Sequence, residues 1–213
     1  MRIMIKIYFQ LTILISLIFI GCEKKADKKP NANHVVHSLS SGSYDVNTTE
    51  SRLEWSGRKV AYGHNGTLMI KNGSVEILSN GNINGKFDID MNSINVTDLE
   101  GGRKNSLEGH LKAADFFDVV QFPIASIVIR ANKKNIKDNR IDINADLTIK
   151  NITHPINFTA SIIDSQPQLK MEANIVFDRS KYDVRFGSGK FFQNLGDKMI
   201  LDDINIAAHL NFN

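Results

Sequence analysis

The 213-residue sequence predicts an all-β domain, an extended antiparallel sheet closed into a barrel and interrupted by one short inserted helix. Three observations predict it. Apolar residues recur with a period of two from about Tyr44 to the last residue, turn chemistry separates the runs at short intervals, and only one segment shows helical spacing. A two-sheet sandwich with a filled core is the alternative, because one-sided strands can also bury their apolar faces by pairing as sheets.

The chain begins differently. Met1-Arg2-Ile3-Met4-Ile5-Lys6 is followed by an apolar run from Ile7 to Ile20 and then by Gly21-Cys22. A basic start, an apolar stretch shorter than the ~20 residues of a membrane span and a small residue before the cut predict a secretory signal over residues 1–21. Residues 22–43 are polar, lysine-rich and without period, and read as a tether that buries too little surface to offset its ordering entropy. Residues 44–213 form the folded domain. Without Arg2 and Lys6 the exported chain is close to neutral, which excludes the basic stripe of a nucleic-acid binder. One cysteine cannot form an internal disulfide, and no zinc-type spacing surrounds it. No metal and no cofactor is expected.

Ile83, Gly85, Phe87, Ile89 and Met91 alternate with polar residues, as do Ile141 to Ile149, Ile156 to Ile162, Met171 to Phe177 and Ile204 to Phe212. Turns are expected at Asn72-Gly73, Asn80-Gly81, 133–139, 151–155 and 164–167, and turns this short imply antiparallel neighbours. The segment Ser106 to Phe117, with Ser106 as cap, predicts the helix, and Asp183 to Lys198 a long glycine-containing loop. About eight long strands close round an interior just wide enough for side chains or one small ligand. Ala145, Ala160, Ala173 and other small inward residues leave room there.

Enzymatic readings fail on spacing. Gly187-Ser188-Gly189-Lys190 lacks the earlier glycine and following hydroxyl of a phosphate loop, no nucleophile elbow occurs, and the strand carboxylates face solvent. No catalytic residue is assigned.

Two resemblances sharpen these expectations. Gly21-Cys22 after the apolar run resembles the lipobox of bacterial lipoproteins, with Phe19 where Leu is usual; it implies acylation of Cys22 and a lipid anchor on a membrane. Glu23 after the cysteine suggests, by analogy, the outer membrane facing the periplasm. The run His110-Leu111-Lys112-Ala113-Ala114-Asp115-Phe116-Phe117-Asp118 with Phe122-Pro123, then Leu147 to Ile156, then Phe177-Asp178-Arg179-Ser180, resembles the YceI-like family of bacterial envelope proteins. That resemblance implies a lipocalin-like barrel that binds an amphiphilic polyisoprenoid, of prenyl quinone or prenyl phosphate type, without catalysis. Trp55, Phe87, Ile89, Phe116, Phe117, Phe122, Ala145, Leu147, Phe158, Ala160, Ala173 and Phe177 would line the cavity, and His110, Arg179 and Arg185 would meet the head group. Pairing with a second copy of the chain is left open.

Overall fold

The structure, a computed structural model, describes residues 39–133 and 136–213, the side chains of 131–137 excepted. The expected signal segment, Cys22 and the tether up to residue 38 lie outside the described residues.

Alternation of buried and exposed residues, clearest in the buried-exposed rhythm of Arg140–Ile149, makes each run a strand with one wet face. The elements in order are β1 (Gly42–Asp45), β2 (Arg52–Arg58), β3 (Gly63–Ile77), β4 (Asn82–Val96), α1 (Gly101–Lys112), β5 (Ile124–Lys133), β6 (Ile136–Lys137), β7 (Arg140–Ile149), β8 (Ile152–Asp164), β9 (Lys170–Asp178) and β10 (Asp203–Asn211). Antiparallel pairing runs β3-β2-β10-β9-β8-β7-β5-β4, and β3 pairs again with β4, so eight strands close into a barrel. The two-sheet alternative is thereby set aside. β1 continues the ladder beside the far half of β3, from Gly42↔Ile77 to Asp45↔Ser74.

Three expectations shift. The expected tether ends earlier than residue 43, since Leu39 is only 6% exposed and Gly42 and Ser43 pair with Ile77 and Glu76 of β3. Asn72-Gly73 is no turn: β3 runs through it with a bulge between Ile70 and Asn72. Gly73 stands opposite Phe87, and a Cβ there would lie 2.4 Å from that ring, so the glycine makes room for an inward aromatic. The helix starts at Gly101, five residues before the expected cap. Glu100 is its N-cap without a side-chain bond, and Ser106 sits in mid-helix. What holds α1 is tertiary: Glu108 accepts from the Val96 backbone N–H at 2.8 Å, and Lys104 Nζ donates to Asn95 Oδ1 at 2.8 Å.

The connections 59–62, 97–123, 150–151 and 179–202 gather at one end of the barrel, the capped end. Arg179 organises it. The side chain is 0% exposed and donates to the carbonyls of Val184 (2.8 Å), Ile200 (3.2 Å) and Leu201 (3.3 Å). Asp202 Oδ1 lies 3.4 Å from its Nη2, and the guanidinium sits over the Phe116 ring at 5.4 Å. Burial lowers its pKa, opposed by the charges of Asp202 and Asp178. Beside it, burial works against ionisation of Asp178, but bonds from Lys190 and Ser180 outweigh it and hold the carboxyl below its ordinary range. This cluster ties the 179–202 segment to the end of β9.

Replacing Arg179 with Met strands three carbonyls and leaves Asp202 with Lys190 alone, and should cost about 3–5 kcal/mol in urea unfolding, since removing one partner leaves buried groups uncompensated. Tyr182, 1% exposed, has its phenol pushed up to about 12 by burial and then by the Asp178 charge, from 10.0. The unfolded phenol loses its proton first as pH rises, so the stabilising preference for the neutral form is complete below pH 10.0 and lost towards about 12. The Tm should therefore fall across that window, and Tyr182→Phe should flatten that part of the fall.

Candidate functional site

The inward faces enclose a cavity of about 260 Å³ that runs along the barrel. Its size falls just below the ~300–1,000 Å³ usual for small-molecule sites. The wall is almost wholly apolar. Ala160, Ala173 and Ala208 stand in direct register on β8, β9 and β10, and all three face the void. Opposite and around them are Leu53, Leu68, Ile70, Phe87, Ile143 and Phe158. Inward residues such as Trp55, Leu68, Ile127 and Phe158 keep some accessible surface although they point into the barrel.

At the end opposite the cap, Leu39, Ile77, Leu169 and Phe212 are buried. At the capped end the wall includes Arg58, Gly63 and Phe186, all exposed, together with His64, Leu107, Leu111 and Ile200. That end is the mouth.

Of the residues expected on the wall, Trp55, Phe87, Ile89, Phe116, Phe117, Leu147, Phe158, Ala160, Ala173 and Phe177 stand there. Phe122 and Ala145 do not. Phe122 closes the turn after α1, its backbone N–H bonded to the Asp118 carbonyl, while Phe116 and Phe117 take the wall with ring centroids 5.1 Å apart. Ala145 is buried between Ile129 and Ile156 on the adjoining strands, where its short methyl does not reach the void. The aliphatic wall extends beyond the expected Ile89 and Leu147 to Leu53, Ile70, Ile143, Ile175, Ile204 and Ile206, which sequence reasoning missed. The signal for it was present in the same period of two.

The three head-group candidates separate. His110 is on the wall, edge-on to Phe186 at 4.3 Å and to Phe116 at 5.6 Å. Its Nε2 is 3.6 Å from Asp115 Oδ2 and makes no hydrogen bond. Arg179 is off the wall, fully buried, with each of its three nitrogens bonded to a loop carbonyl, which corrects the expectation that it meets a head group. Arg185 is also off the wall: it is exposed, bonded to Asp183, and lies over the Phe191 ring at 5.0 Å. Among the described residues no group of three or more His, Cys, Asp or Glu side chains could hold a metal ion, and no helix is long and apolar enough to cross a membrane.

Such a site can hold a slender apolar molecule and offers few groups with which to transform one. The profile of the YceI-like domain matches residues 44–212. No curated protein sequence matches the chain. Among solved structures, Burkholderia cenocepacia BcnA is similar with a TM-score of 0.64 at 17% identity, over 78% of this chain and 98% of that one. A polyisoprenoid binding domain from Saccharophagus degradans, implicated in plant cell wall breakdown, is similar with a TM-score of 0.57 at 14% identity, over 80% and 97%. At these identities the two likenesses speak to the fold, whereas the match over nearly the whole described chain shows the family: this chain belongs to the YceI-like family.

Proposed function

We propose that the protein binds an amphiphilic polyisoprenoid lipid in the barrel without acting on it, the hydrocarbon in the lumen and the head at the mouth. The observation that carries this reading is the wall itself, apolar from Phe212 and Leu169 at one end to Phe116 and Phe186 at the other. Removing apolar surface from water contributes about 25 cal/mol per Å², so a long thin chain gains most from a container of this form. The polyisoprenoid binding domain of Saccharophagus degradans, which shares the fold, supports the same ligand class. His110, at the mouth with a buried, unbonded Nε2, is our candidate to meet a prenyl quinone or prenyl phosphate head. The setting we propose is the bacterial envelope, probed most directly at Cys22: acylation there would hold the protein on a membrane through the polar stretch that follows.

Mass spectrometry of organic extracts of the purified protein tests the reading, and a prenyl compound recovered in near-stoichiometric amount is expected. Trp55, the only tryptophan, stands on the cavity wall, so a short-chain prenyl quinone should quench its emission saturably. Ala173→Phe places a ring in the row of alanines. It should abolish that quenching while changing stability by no more than about 1–3 kcal/mol, the usual range for an overpacked site.

A further inference from the structure

The mouth of the cavity is ringed by side chains that the barrel itself does not need. Val60 and Tyr62 from the β2–β3 connection, and Phe186, Phe191, Phe192 and Leu201 from the 179–202 segment, are 40 to 55% exposed. Two connections far apart in sequence are joined into one rim. Leu201 N–H donates to the Arg58 carbonyl at 2.8 Å, Val60 N–H to that of Met199 at 3.3 Å, and Lys59 and Ile200 form a β-bridge. The rim is also cationic. Asp183 is engaged by Arg185 and Lys150, and Asp178 and Asp202 by Lys190. Arg58, Lys59 and Lys198 have no carboxylate within ion-pair distance among the described residues, while Lys59 lies over Tyr62 at 5.3 Å; Asp197 is the one acidic residue of the 183–202 stretch in the same position.

We propose that this rim docks the protein on an anionic phospholipid bilayer, the aromatic tips entering the boundary between head groups and acyl chains and the free cations facing lipid phosphates. Aromatic side chains with an apolar body favour that depth, and unpaired Lys and Arg favour a negatively charged leaflet. An apolar patch alone would suit many partners; its continuity with the cavity mouth and its surplus of positive charge single out a lipid surface. Docking does not depend on the ligand proposed above, but its purpose does rest on that reading: a docked mouth lets a hydrocarbon pass between bilayer and lumen without crossing water.

The full chain carrying Phe192→Trp, and separately Ile163→Trp at the opposite end of the barrel, is mixed with vesicles of phosphatidylcholine and phosphatidylglycerol with brominated acyl chains. Quenching reports contact of the introduced ring with the acyl region wherever the rest of the chain is held. Emission from F192W should drop by about half, as for a face seated ~5–10 Å into the boundary, while I163W should stay level with the parent. Omitting phosphatidylglycerol or adding 0.5 M salt should remove most of the effect, because screening shortens the reach of exposed charge. No quenching of F192W, or equal quenching of both variants, overturns the proposal, as does a mass shift showing that F192W is instead covered by a second copy of the chain. In a second arm, the F191S/F192S double variant should take up a prenyl quinone from donor vesicles about tenfold more slowly, with the same final quenching of Trp55. Unchanged uptake overturns the transfer role. A parent chain whose Trp55 is never quenched sinks the ligand reading and leaves the bilayer result standing on its own.

Discussion

Ala160, Ala173 and Ala208 stand abreast on three neighbouring strands, and the interior of the barrel follows from their size. Eight strands enclose a space that ordinary Leu and Ile side chains would fill. Methyl groups at one level leave it open. An apolar void has an energetic consequence: at about 24 cal/mol per Å³, 260 Å³ corresponds to roughly 6 kcal/mol relative to a filled core, a large part of the ~5–15 kcal/mol by which domains are stable. A barrel that keeps such a void is stabilised by its long ladders and by any guest that restores the missing contacts. Water is a poor substitute for that guest, since so apolar a wall offers it few hydrogen-bond partners.

The clasp at the mouth follows a different logic from the wall. Loops must satisfy their backbone groups without a neighbouring strand, and here one buried guanidinium satisfies three carbonyls of the 179–202 segment at once. Its planar fork suits that task better than an ammonium would. Because the same guanidinium lies over Phe116, the segment after α1 and the segment after β9 are held to each other as well as to the barrel. The mouth therefore has a defined shape, although α1 buries no residue fully.

Much of this was legible in the sequence. Period-two alternation located the strands of Ile83 to Met91, Ile141 to Ile149 and Ile204 to Phe212, because a strand with one wet face writes its burial directly into residue order. Three features were hidden for physical reasons. Asn72-Gly73 has the composition of a hairpin turn, but its glycine answers to Phe87 on the next strand, a contact fourteen positions away. The first turn of α1 is Gly101-Gly102, poor helix formers held by polar contacts to the end of β4 that no local propensity records. Arg179 looks like a ligand-binding charge in sequence, and only burial distinguishes a clasp from a head-group contact.

The arrangement of the two ends constrains how a guest moves. Leu39 and β1 enter the barrel beside Ile77, at the end opposite the mouth, and Leu169 and Phe212 are buried there with them. A hydrocarbon occupying the lumen therefore leaves past Phe186 and His110. Each methylene released into water costs about 0.8 kcal/mol, so a chain of several isoprene units would meet a barrier of roughly 10–20 kcal/mol if it left through solvent. Shelter tight enough to be useful is on that account too tight for free diffusion. On the proposed reading, exchange is feasible only where the mouth meets another apolar phase, and the same arithmetic that recommends the lumen as a container favours an opening wetted by lipid over one wetted by water.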